Sequence, residues 1–126
     1  VEPVATFVSA NATDTSGGEG TSPVGCANPS ASISSPVPGQ VIESAYPIMG
    51  SAVIEDFLYY KLEIRPYGAP TYTFYARSDT AVSNGILGHL DPTAFPIGDY
   101  WVRLVVFDKN DAVPTDATCA ISVRFE

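Results

Sequence analysis

Phe57-Leu58-Tyr59-Tyr60-Lys61-Leu62-Glu63-Ile64-Arg65 decides how this 126-residue chain folds. Leu58, Tyr60, Leu62 and Ile64 alternate with Tyr59, Lys61, Glu63 and Arg65. A period of two in a β-branched and aromatic run predicts a strand with one dry face and one wet face. The same alternation recurs downstream. Tyr100, Val102, Leu104 and Val106 oppose Trp101, Arg103, Val105 and Phe107, and Cys119, Ile121, Val123 and Phe125 share one face of Ala117 to Phe125. Upstream, Ser30 to Ser34 predicts a first strand with Ala31 and Ile33 inward. Val41 and Ile42 predict a short strand, and Ile48 to Ile54 a second main one. Thr71 to Arg77 and Gly85 to Leu90 complete the set, with Ser78 to Asn84 as a polar loop. Pro, Gly, Asp and Asn punctuate these runs, and helical periodicity is almost absent, so the pattern is that of an all-β sandwich. The one helical turn expected is Asp91 to Phe95, with Asp91 as its cap and Pro92 at its first position.

Composition narrows the partners. Hydrophobic residues make up 45% of the chain, enough for a core, while charged residues make up only 16%. Six basic and fourteen acidic residues give a formal net charge of -8. That excess argues against nucleic acid and anionic membrane surfaces, which need a basic patch. No apolar run approaches the length of a membrane span. The start carries no basic stretch followed by an apolar one, so a secreted form would be the mature one.

Cys26 and Cys119 flank almost the whole sandwich-like region. Two buried free thiols are one reading and a disulfide the other. The disulfide is the expectation, because Cys119 faces inward near where the first strand begins. It would stabilise the fold by roughly 4–5 kcal/mol in the chain-entropy model. It also implies an oxidising, extracellular setting, which the Ser/Thr/Gly/Pro-rich, Lys-poor composition fits.

Several phrases resemble the immunoglobulin-like and fibronectin type III-like modules of bacterial secreted and cell-surface proteins. Ile33-Ser34-Ser35-Pro36-Val37-Pro38-Gly39-Gln40-Val41-Ile42 looks like the opening of such modules, and Ile48-Met49-Gly50-Ser51-Ala52 like their second strand. Phe57 to Glu63 looks like the third strand of one subgroup. Phe95-Pro96-Ile97-Gly98-Asp99-Tyr100-Trp101-Val102-Arg103-Leu104 looks like their corner before a late strand. There a tyrosine hydroxyl bonds back to the chain upstream, a role that would fall to Tyr100. The resemblance covers residues 26–126 and implies a seven-stranded antiparallel immunoglobulin-like sandwich. It says little about function, since such modules host many.

Residues 1–25 lie outside that resemblance. Val1 to Ala10 reads as an extra strand, with Val4, Thr6, Phe7 and Val8 at its centre, and a Gly/Ser/Thr-rich tether follows it. This arm resembles the donor strand of pilins. Asn11 to Gly25 reaches up to roughly 50 Å when extended, so the arm can add to its own sheet or to a neighbour's. In pilins of the chaperone-assisted type the fold lacks its last strand. Here Ala117 to Phe125 supplies it, so the arm would add a strand and not fill a gap. Trp101, Val105 and Phe107, on the outward face of their strand, are the expected acceptor surface.

The remaining candidates are each weighed against a plainer role. Asp108, Asn110 and Asp111, with Asp116 nearby, have the composition of a calcium loop and equally of an ordinary turn; the turn is expected, and no metal or other cofactor. Asn11-Ala12-Thr13 is a glycosylation triplet. His89 stands alone on a predicted strand, without a nucleophile elbow. Glu55-Asp56 sits near a turn, where the carboxylates are solvated. Tyr59, Tyr67, Tyr72, Tyr75 and Trp101 are either a platform for carbohydrate or cross-strand pairs. The expected function is therefore non-enzymatic: a subunit of an extracellular filament or pilus, polymerising with itself head to tail through the Val1 to Ala10 strand. The alternative is an extracellular adhesion module for carbohydrate or a protein partner.

Overall fold

The computed structural model describes residues 26–126. The expected donor strand with Val4, Thr6, Phe7 and Val8, the tether and Asn11 lie outside the described residues. Eight strands follow in order: β1 (Ala31–Ser35), β2 (Gln40–Ile42), β3 (Tyr46–Ala52), β4 (Phe57–Pro66), β5 (Thr73–Ser78), β6 (Val82–Leu90), β7 (Gly98–Asp108) and β8 (Thr118–Phe125). They form a three-stranded sheet ordered β1-β3-β6 and a five-stranded sheet ordered β2-β8-β7-β4-β5. The all-β sandwich expected from the alternation is present.

The count is eight strands, not seven, and one pairing is parallel. The chain leaves β1 in one sheet, turns through Pro36 to Gly39, and enters the other sheet as β2. There it runs alongside β8 in parallel, with Gln40 opposite Val123 and Ile42 opposite Phe125. Gly39 makes the turn possible, because its φ of 81° lies in the left-handed region that side chains rarely adopt. The single turn of 3-10 helix at Pro92–Ala94 forms as expected, with the Asp91 carboxylate accepting from the Thr93 N–H at 3.0 Å.

Between the sheets the alternation produces one core. Leu62, Ile64, Val102, Leu104, Val106, Ile121, Val123 and Phe125 come from the five-stranded sheet, and Ala31, Ile48, Ala52, Leu87 and Leu90 from the three-stranded one. Each Val, Leu, Ile or Phe among them, fully buried, contributes about 1.5–3 kcal/mol. Phe95, Tyr100 and Phe125 close one end, with ring centroids 4.8–5.6 Å apart. The Tyr100 hydroxyl donates to the Pro96 carbonyl at 2.8 Å, four residues upstream.

Leu58 departs from the expected inner face: it is 40% exposed. A register shift between Phe57 and Tyr59 against β7 inserts one extra residue there. Such a bulge reverses the phase of the alternation, so Phe57 and not Leu58 packs against the core. The loop expected at Ser78 to Asn84 is also shorter, because β6 begins at Val82.

Cys26 and Cys119 are disulfide-bonded, with Cα atoms 5.0 Å apart and 93 residues of sequence separation. Cys119 is buried at the start of β8, and its Sγ also accepts the Ile33 N–H at 3.2 Å. The bond therefore fastens the entry of β1 in one sheet to β8 in the other.

Candidate functional site

Two kinds of surface can act: the outer face of the five-stranded sheet and the sandwich edges. The outer face follows from the sequence. With Tyr60, Leu62 and Ile64 inward, Tyr59, Lys61, Glu63 and Arg65 point out from β4. Their register partners on β7 are Phe107, Val105, Arg103 and Trp101. Cross-strand neighbours at this spacing touch, and the rows become paired groups.

Tyr59 and Phe107 stack with centroids 4.5 Å apart and planes 12° from parallel. The Arg77 guanidinium lies 3.9 Å from the Tyr59 centroid, and the Lys61 ammonium 5.2 Å from that of Phe107. Arg103 donates to one Glu63 carboxylate oxygen through Nε and Nη2, at 2.8 and 2.6 Å. The guanidinium groups of Arg103 and Arg65 lie 3.9 and 5.0 Å from the Tyr72 centroid. Trp101 stacks on Tyr67 at 5.3 Å. Glu63, Arg65, Thr71, Tyr72 and Arg103 line an open cleft of about 640 Å³.

This placement narrows the expected acceptor surface. Val105 is only 7% exposed, lying in its row between Lys61 on β4 and Thr118 on β8. Trp101 and Phe107 are half-buried, each with a ring stacked on it. The three do not make a continuous bare apolar patch, because the sheet's own neighbours cover it. The expected aromatic platform is likewise divided. Tyr59, Tyr67, Tyr72 and Trp101 share the outer face, but each has a ring or guanidinium group against it. Tyr75 packs against the core and sends its hydroxyl to the His89 carbonyl at 2.7 Å.

The Asp108 to Asp116 loop is built as a turn. The Asp108 carboxylate accepts the Asn110 and Ala112 N–H groups at 2.9 and 3.2 Å, and Asp111 accepts the Tyr59 hydroxyl at 2.8 Å. That last hydrogen bond, reinforced by burial and by the carboxylate's charge, holds the Tyr59 hydroxyl above the usual tyrosine range. Among the described residues no group of three or more His, Cys, Asp and Glu side chains is placed to hold a metal ion. One oxygen of Asp108 is thus engaged by the loop itself and one of Asp111 by Tyr59. Asp56 pairs with Lys109 at 3.5 Å across an exposed surface.

The edges show what the alternation could not. Among the described residues, β1, β2, β5 and β6 each have one neighbour in their sheet. On β6 the Leu87 carbonyl accepts the Tyr60 hydroxyl at 2.7 Å, and His89 is tied to Tyr75 as above. On β1 the Ile33 N–H is held by Cys119. β2 is three residues long and is entered through Pro36 and Pro38. β5 pairs with β4 over Thr73–Ser78, and among the described residues no side chain bonds to its main chain. Beside that edge Phe74 is 59% exposed. Sequence reasoning did not single out β5 or Phe74; the signal was a Thr- and Tyr-rich strand after Pro70 with few inward apolar positions. Among the described residues no helix is long and apolar enough to cross a membrane. No protein-family model, no curated protein and no solved structure matches this chain.

Proposed function

We propose that the chain is a non-enzymatic, extracellular immunoglobulin-like module that works as a structural subunit of a filament, joined to the next copy by Val1 to Ala10 added as a strand. The observation that carries this reading is closure. Residues 26–126 build both sheets and a continuous core with β8 held between β2 and β7. Val1 to Ala10 is therefore a strand-type sequence that this sandwich does not need. Strand addition supplies main-chain pairing and side-chain pockets together, and head-to-tail repetition extends it without limit.

Further features agree. The arm joins the module at Cys26, which is bonded across 93 residues to Cys119 in β8, so tension on the arm enters beside a covalent crosslink. A disulfide of this kind is at home in secreted proteins. The passage of the first edge from one sheet to the other, and the Tyr100 to Pro96 hydrogen bond, support an immunoglobulin-like module over other sandwiches.

Removal of residues 1–10 tests the reading. Negative-stain imaging and sedimentation of the shortened chain are expected to find dispersed subunits where the full chain assembles. Assemblies that keep their spacing without the segment would sink it. The cleft at Tyr72 favours one second reading, an adhesion module for carbohydrate. Binding of the dispersed chain to a glycan array, lost on Tyr72→Ala, is its expected signature.

A further inference from the structure

We infer that the acceptor for Val1 to Ala10 is the edge of β5, unpaired among the described residues, on a second copy of this chain, an inference that rests on the strand-addition reading above. Four edges are available, and the fold blunts three. The Leu87 and His89 carbonyls of β6 hold tyrosine hydroxyls from β4 and β5. An incoming strand would have to displace these bonds. The Ile33 N–H on β1 is taken by the disulfide sulfur. β2 offers three residues behind two prolines, a short and protected edge. β5 offers six residues, Thr73–Ser78, whose main chain bonds to β4 on one side.

Charge favours the same edge. Residues 1–25 carry Glu2, Asp14 and Glu19 and no basic residue. Lys61, Arg65, Arg77 and Arg103 gather on the β4, β5 and β7 surface, where Glu63 and Asp79 pair with only Arg103 and Arg77. In an otherwise acidic chain this side is where an acidic segment finds cations. The chemistry of the segment fits an edge as well. Pro3 lacks an N–H and is tolerated in a strand only at an edge or a first position, and an added strand is an edge strand. Alternation sets Ala5 and Phe7 on one face and Val4, Thr6 and Val8 on the other. Added to β5, one of these faces covers Phe74, the most exposed aromatic ring among the described residues.

Hydrogen exchange on the unshortened chain, dispersed and assembled, reads the edge directly. Assembly is expected to slow amide exchange in Thr73–Ser78 by about tenfold or more and to leave Ser83 to His89 unchanged. Phe74→Glu is expected to abolish assembly, whereas Ile86→Glu, which puts the same charge on exposed β6, keeps it. Protection that appears at Ser83 to His89 or Ala31 to Ser35 instead, with assembly lost on Ile86→Glu, overturns the β5 assignment while strand addition stands. Protection of Thr73–Ser78 already complete in the dispersed chain overturns the second copy as donor. Assembly that survives loss of residues 1–10 overturns the reading beneath both. The exchange measurement uses the unaltered chain, so it decides even if Phe74→Glu does not fold.

Discussion

The Tyr60 hydroxyl donates to the Leu87 carbonyl at 2.7 Å, joining β4 of one sheet to β6 of the other through the core. The ring is 3% exposed, and burial pushes its pKa up. Nothing in strand periodicity demands a hydroxyl at an inward position, and a buried carbonyl left without a donor is costly. Tyr60→Phe keeps the ring and removes only that donor. It is expected to destabilise the chain by about 1–2 kcal/mol, read as a lower urea midpoint with an unchanged slope. Tyr75→Phe, whose hydrogen bond to His89 is exposed, is expected to cost less.

The disulfide gives a larger effect. Reduction, or Cys26→Ser with Cys119→Ala, frees a loop of 93 residues. The chain-entropy model assigns such a loop about 4–5 kcal/mol. Denaturant unfolding with and without reductant is expected to differ by about that amount for the natural chain and not at all for the double variant. An equal midpoint in both conditions would mean that the crosslink does not constrain the unfolded chain.

Gly50 and Gly88 separate two kinds of crowding. A Cβ on Gly50 would collide with the main-chain carbonyl of Ser32 in the paired strand β1, and backbone cannot step aside. A Cβ on Gly88 would lie 2.7 Å from Leu62 Cδ1, the far end of a side chain that can rotate. Overpacking of this kind costs about 1–3 kcal/mol. Gly50→Ala is expected at or beyond the upper end and Gly88→Ala at the lower, with thermal midpoints ranked accordingly.

Particular residues show how far the sequence could be read. Val102, Leu104 and Val106, like Ile121, Val123 and Phe125, lie inward as their alternation predicts, because a regular strand has only two faces. Leu58 does not, because the bulge before Tyr59 depends on how β4 meets β7, and register against a partner is not written in one strand's own pattern. Val105 fails as a surface residue for the same reason: its cover comes from Lys61 and Thr118, which only the pairing brings beside it. The Tyr72 cleft and the open β5 edge also depend on which strands are neighbours. Cys119 was legible because two independent signals, its inward phase and the flanking position of Cys26, favoured the same contact.

Tyr59 supplies the pH prediction. Its hydroxyl donates to the Asp111 carboxylate at 2.8 Å, which favours the protonated phenol, and nearby Arg77 opposes this more weakly. The folded pKa therefore stands above the unfolded value of about 10. A group whose folded pKa is raised contributes its stability fully below the unfolded pKa and loses it as pH rises through the folded one. The link between β4 and the Asp108 to Asp116 loop is thus expected to persist to about pH 10 and to weaken above it. Asp111→Asn removes the carboxylate that raises the pKa. Ultraviolet titration of the tyrosines is expected to show one phenol shifted to lower pH in that variant, with a smaller alkaline loss of stability, because the folded and unfolded pKa values then lie closer together. An unchanged titration would mean that the Asp111 carboxylate does not hold the Tyr59 proton.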